Sequence, residues 1–348
     1  MLRKFFPFRS IVVFRGRGYS LDKLFGTSSA EIGSHFAIYP DIMGKLRYNI
    51  ALAVANILFG VSFSVYVSLL HGALSFVELF ALQLLFATLI FIPTALLQGD
   101  FFRLSLNDFG SIFIVALLVV FGWWYMLLMG ASYTNPIDAS TIATIGPVFT
   151  FVTSIIVHSR RATRGEKVGI FIALLGVATI LFDRGRVMVG KGGEGYGNAL
   201  ILCSVVAIAV NTVLITPALQ RHGVAKVMGW YYLIGAILAL PLLIDTLPTI
   251  ARLRLSHTDL IEVGYILLFG STLPMYLLYV GSRHLTAAHT AVYRYLQPLV
   301  ATAVALMRGQ SVIDRTNIVG AVLIFSGMLS ILFSMPRAER TAESSTRE

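Results

Sequence analysis

Charge is scarce in this sequence. Only 13% of its 348 residues are Asp, Glu, Lys or Arg, about half of the ~25% carried by an ordinary soluble domain. With 57% hydrophobic residues, a soluble globule of this length is excluded. Cysteine occurs once, as Cys203, which rules out an intrachain disulfide and a thiolate metal cluster. Acids are scarce within the apolar runs: Glu78, Asp245 and Glu262 sit near run ends, away from midplane. That speaks against a buried carboxylate relay for obligatory proton antiport. Gly190 to Gly195 spells GxGxxG, but it joins two apolar runs with no strand before it, so it reads as a loop. There is no Walker lysine motif, no HExxH, no paired-aspartate motif and no nucleophile elbow. No cofactor or metal is therefore expected. A membrane enzyme acting on lipid-linked substrates would need a paired carboxylate, a metal or a histidine site, and none is visible.

What the chain does have is apolar runs, each about 20 residues long and so long enough to cross a bilayer as a helix. The expected spans are 48–70, 76–97, 108–130, 137–157 and 166–182, then 197–219, 227–247, 260–281, 287–307 and 316–334. Residues 1–42 form a basic extension without a signal-peptide core or cleavage site, expected to be disordered. Met43-Gly-Lys-Leu-Arg is a compact basic start just before the first span, and the extension is expected to be an artefact of start-site choice. Residues 43–183 make a first half, 184–196 a Gly-rich connection, 197–334 a second half, and 335–348 a polar tail.

The halves are copies. Gly130 to Pro147 (GASYTNPIDASTIATIGP) recurs as Gly281 to Pro298 (GSRHLTAAHTAVYRYLQP), 151 residues on. The register holds without a gap, pairing Asp108 with Asp259, Gly169 with Gly320, and Gly176 with Gly327. An odd number of spans per copy starts the second copy from the opposite side. The fold class expected is therefore an all-α integral membrane protein of ten helices, arranged as two inverted five-helix repeats. The binding site of such proteins lies near midplane where the repeats meet. The net charge of +10 sits in short loops and tails, as orientation charges do, so nucleic acid is not an expected partner. Arg160, Arg161, Arg164 and Lys167 favour both termini on the cytoplasmic side of an inner (plasma) membrane, although Arg184, Arg186, Lys191, Arg252, Arg254, Arg308 and Arg315 then fall outside. Gly169, Ala173 and Gly176 with Gly320 and Gly327 permit close helix contacts, within one chain or in a homodimer.

Pro147 and Pro298 stand about 10 residues into their spans, near midplane. Each removes an N–H and should free the carbonyl four residues back, on Ala143 and Arg294, making both prolines candidate hinges. Arg294 is the one basic residue well inside a span. Facing lipid would cost at least ~2.5 kcal/mol, so it should face protein or water. It is the candidate cation for an anionic substrate group, with snorkelling or pairing to carbonyls as the alternative. Tyr293, Gln297 and His289 share its polar helix region at spacings of three and four. Asn56, Gln83 and Asn211 place amides in other spans, for interhelical hydrogen bonds or for the solute. Of the aromatics, Trp124 is the candidate for a cavity wall, with Trp123, Tyr231 and Tyr232 beside it in sequence or in the other half.

The runs IDASTIATIGPVFTFVTSIIV with KVGIFIALLGVATIL, and TAVYRYLQPLVATAVALM with NIVGAVLIFSGMLSIL, pair a small-polar helix ending in proline with a Gly-six-residues-Gly helix. In this the chain resembles the drug/metabolite transporter superfamily, in its EamA-like branch. The resemblance implies ten helices in two inverted repeats, a central cavity lined in part by the fourth and ninth helices, and export or exchange of amino acids, metabolites or drugs. An acidic residue usual in that family thirteen past each proline is here Arg160 and Ser311. The function expected is a secondary transporter working by alternating access on a small polar metabolite, either an amino acid or an organic anion. The rivals are a multidrug or lipophilic-cation exporter, which predicts an acidic or aromatic cavity and which Arg294 speaks against, and the lipid-linked enzyme considered above.

Overall fold

The computed structural model describes residues 29–99, 101–157, 162–182, 193–285, 290, 293–310 and 315–334. Of the expected connection at 184–196, residues 184–192 lie outside the described residues, as do the tail, the residues before Ser29, and His289, Arg160 and Ser311; the end of that connection is helical, since a helix already begins at Glu194. Most of the described residues are helical, with no strand among them. In order they form α1 (Ser29–Gly72), α2 (Phe76–Leu97), α3 (Leu106–Ala131), α4 (Pro136–Ala143), α5 (Gly146–Val157), α6 (Arg164–Phe182) and α7 (Glu194–His222). Then come α8 (Val224–Leu238), α9 (Leu240–Ile250), α10 (His257–His284), α11 (Leu296–Met307) and α12 (Arg315–Ser334). The backbone is already helical at Ser29, ahead of the expected start, and residues up to Leu46 cluster as a unit of their own. The remaining description concerns the unit that begins at Arg47.

Of the ten expected spans, six stand as helices long and apolar enough to cross a membrane. These are 46–72, α2, α3, the α4–α5 pair, α7 and α10. A seventh, α8 with α9, is bent by 79° at Ala239. Pro241, next to that bend, lacks an N–H and crowds the carbonyl four residues earlier, which a straight helix cannot absorb. The shorter α6, α11 and α12 occupy the other three positions.

The inversion is written in the contacts. A Cβ on Gly169 would stand 2.5 Å from the Gly327 carbonyl, and one on Gly176 would stand 2.7 Å from the Gly320 carbonyl. Gly327 is the repeat mate of Gly176, and Gly320 that of Gly169. Each helix therefore touches its own mate at swapped positions, as in an isologous two-fold contact. Rising numbers on α6 meet falling numbers on α12, so the two run antiparallel. The small residues that permitted contacts within or between protomers meet here within one chain. Lipid supplies no hydrophobic drive between helices, so close backbone packing of this kind is what holds them together.

A second mirrored pair joins the halves. Gly130 at the end of α3 meets Gly197 and Ile201 near the start of α7, while Gly281 near the end of α10 packs on Leu52 of α1. At their other ends α3 and α7 are tied by an ion pair of Asp108 with Arg221 at 2.9 Å, and His222 Nε2 lies 3.0 Å from the same carboxylate. Elsewhere Glu262 of α10 pairs with Arg308, just beyond α11.

Candidate functional site

Asn56, Phe59, Phe63 and Tyr66 step along α1 by three and four residues, so they share one face of the helix. That face is one wall of a cavity. Trp123 and Leu127 of α3 and Ala143 of α4 complete the first repeat's share. Ser204, Val205 and Ile208 of α7, Leu278 of α10, and Arg294 and Gln297 before and within α11 supply the second's. The first, third and fourth spans of each repeat thus contribute, and the cavity lies where the two copies meet.

Both prolines are buried and follow a break in their span. Thr144 and Ile145 close tight turns onto Thr141 (3.1 Å) and Ile142 (3.2 Å), and α5 restarts at Gly146. In the second repeat the Gln297 N–H donates to the Arg294 carbonyl at 3.1 Å. Proline then falls in the first turn of the new helix, where its missing N–H has no intrahelical partner to lose. The carbonyl that Pro298 was expected to free is taken, because the chain tightens by one residue before the proline.

Arg294 is only 7% exposed. Its Nη2 donates to the Thr212 hydroxyl at 3.3 Å. Its Nη1 lies against Gly146, where an added Cβ would stand 2.9 Å away. Among the described residues no carboxylate lies within 4.0 Å of the guanidinium. The remaining N–H donors of this rigid fork are therefore open to whatever enters the cavity. Beside it Gln297 donates to Asn56 Oδ1 at 2.7 Å, and Asn56 donates to the Leu52 carbonyl at 2.7 Å. This amide pair bridges the two repeats and lines the same wall.

Of the residues singled out by sequence, Arg294, Gln297 and Asn56 are brought together. Trp123 lines the cavity, and Trp124 stands behind it, stacked at 5.8 Å and 1% exposed. Asn211 is not among the lining residues; its amide donates to Tyr279 at 3.0 Å. Tyr293 is half-buried against the apolar core. Gln83 donates to Tyr66 at 3.1 Å, which in turn donates to the Gly270 carbonyl at 3.3 Å.

Sequence reasoning did not single out Phe59, Phe63, Tyr66, Thr212 or Gly146. The three aromatics were findable, since they repeat on Asn56's helical face. The choice between Trp123 and Trp124 was not. Leu118–Tyr125 forms a π-helical stretch, as does Ile266–Thr272 at nearly the equivalent place in the second repeat. A wider turn re-aims the side chains within it, and such turns recur at functional sites.

Gly146→Ala should separate positioning from stability. The atom its Cβ meets is the tip of a flexible side chain, so the chain should fold with wild-type melting behaviour while the guanidinium is displaced. A displacement near 1 Å should weaken solute turnover by about 10- to 100-fold. Uptake kinetics beside a thermal melt checks this; a lowered melt with unaltered kinetics per folded molecule would contradict it.

Two antiparallel copies of a five-segment unit, closed around a cavity with polar groups from both, define a membrane transporter built by duplication. The sequence model of the EamA-like transporter family matches residues 46–182 and 195–333, once per copy. The chain belongs to that family, and its work is the membrane transport of a small-molecule solute. It is 24% identical over 265 residues to an uncharacterized transporter of Clostridium kluyveri, covering 74% of this chain and 84% of that one. It is 22% identical over 223 residues to the uncharacterized transporter YyaM of Bacillus subtilis, covering 63% of this chain and 72% of that one. A crystal structure whose description names no function shares the fold, with a TM-score of 0.57 at 17% identity over 81% of this chain and 96% of its own.

Proposed function

We propose that this chain exports or exchanges a small metabolite bearing an anionic group, a carboxylate or phosphate, by alternating access around the Arg294 cavity. The observation that carries this is Arg294 itself: a buried cation on the cavity wall, held by one hydroxyl and opposed by no carboxylate among the described residues. A desolvated guanidinium is expensive to keep and becomes favourable when a planar anion completes its hydrogen bonds. The same charge disfavours the lipophilic-cation reading. Alternating access is supported by the repeat geometry, since antiparallel copies give two related ways of closing around one site. The lysine and arginine distribution of the first half supports an inner-membrane location with both termini in the cytoplasm.

Purified protein in liposomes loaded with unlabelled organic anion should accumulate the labelled anion by counterflow, saturably and above empty liposomes. Accumulation of an organic cation instead, with no anion carried, would refute the proposal.

A further inference from the structure

The charge and the apolar surface of this cavity are segregated. Arg294, Gln297 and Asn56 cluster at one place, linked by the Gln297–Asn56 hydrogen bond. From there the α1 wall runs through Phe59 and Phe63 to Tyr66, ten residues and about 15 Å along the helix. Trp123 and Leu127 face it from α3. Tyr66 has spent its hydroxyl on Gln83 and Gly270, so it offers a ring and not a polar tip. Trp123 is held edge-on by Phe59 at 6.0 Å and backed by Trp124 at 5.8 Å. The aromatic wall is thus built and supported before any solute arrives.

The charge count is equally specific. One cation lines the cavity, and no Asp or Glu lines it among the described residues. A second anionic charge on the solute would be desolvated with no partner. An ammonium group would find only neutral acceptors on the lining side chains, amide oxygens and the Ser204 hydroxyl, and Asn56 Oδ1 already accepts from Gln297. Unpaired buried charges of either kind are strongly disfavoured.

From these observations, and resting on the anion reading above, we infer that the preferred solute is an amphipathic monoanion: one carboxylate on an aromatic or branched apolar body, without an ammonium group. The carboxylate takes the guanidinium fork, and the body lies along the Phe59–Tyr66 wall opposite Trp123.

The test uses full-length protein, with calorimetric binding in detergent and counterflow in liposomes. The probes are phenylpyruvate, phenylalanine, succinate, pyruvate and tetraphenylphosphonium. Phenylpyruvate should be favoured over succinate and over phenylalanine by at least about tenfold in kcat/KM, since a site with an unmatched charge discriminates strongly. In Phe59→Ala the phenylpyruvate-to-pyruvate preference should fall about tenfold, as expected for a lost apolar contact. Succinate or phenylalanine handled as well as phenylpyruvate would overturn the inference and leave the anion reading standing. An unaltered preference in both Phe59→Ala and Trp123→Ala would also overturn it. Binding of tetraphenylphosphonium with none of the anions bound or carried would end the anion reading, and the inference with it.

Discussion

Arg294→Gln is expected to abolish measurable anion counterflow while leaving the fold intact. Truncating one partner of a buried, hydrogen-bonded charge pair costs about 2–5 kcal/mol, which is roughly 30-fold to a few thousand-fold in affinity. The effect on stability should have the opposite sign or none. In the solute-free protein the guanidinium is buried against a single hydroxyl, so removing it relieves a desolvation penalty and does not break an ion pair. A structural arginine would behave the other way, with a lower melt and normal flux per folded molecule. Arg294→Lys should recover part of the flux, because it keeps the charge and loses the planar fork. Wild-type flux in Arg294→Gln would remove the residue from the transport path.

Gly327→Leu is expected to prevent recovery of a monodisperse folded protein. Its Cβ would meet the Ala173 nitrogen and the Gly169 carbonyl, both at 2.5 Å. These are backbone atoms inside packed helices and cannot step aside as a side chain can. Overpacking typically costs ~1–3 kcal/mol, and a backbone collision belongs at or above the top of that range. Gly176→Leu should fail in the same way, because it is the repeat mate and meets the Gly320 carbonyl at 2.7 Å. Gly264→Leu is the control, with nothing within 4 Å of its Cβ. Size-exclusion chromatography and thermal melts in detergent decide it. Wild-type behaviour of both core variants would mean that the α6–α12 crossing does not hold the halves together.

Run length alone pointed to the spans, because a bilayer sets helix length whatever the side chains do; six of the ten stand as helices long and apolar enough to cross, and a seventh as a bent pair. Phe76–Leu97 appears with its expected bounds, and 166–182 begins two residues earlier, at Arg164. The repeat register marked the glycines of α6 and α12 as places of close contact; only the swapped pairing, Gly169 on Gly327 and Gly176 on Gly320, shows the two helices to be antiparallel. Arg294 stood out because a charge within an apolar run demands a reason. Other features were less legible. The bend at Ala239 was foreshadowed by Pro241, yet proline shows only that a straight helix is disfavoured, not its angle. The π-helical stretches have no period of their own in an apolar run. Their trace is the hydroxyls of Ser271 and Thr272, which reach carbonyls five residues back at 3.0 and 2.6 Å. Thr212 and Gly146 were invisible as partners of Arg294, because only packing of the fourth, sixth and ninth spans brings them together.

The most direct measurement of the central claim uses the single exposed Cys203. With Cys203→Ser as background, Ala143→Cys places one thiol on the cavity wall within reach of aqueous reagents. An anionic methanethiosulfonate should modify it faster than a cationic one, and a transported organic anion should protect it. Faster modification by the cationic reagent, or no protection by any carried solute, would show that the space where the repeats meet is not an anion path.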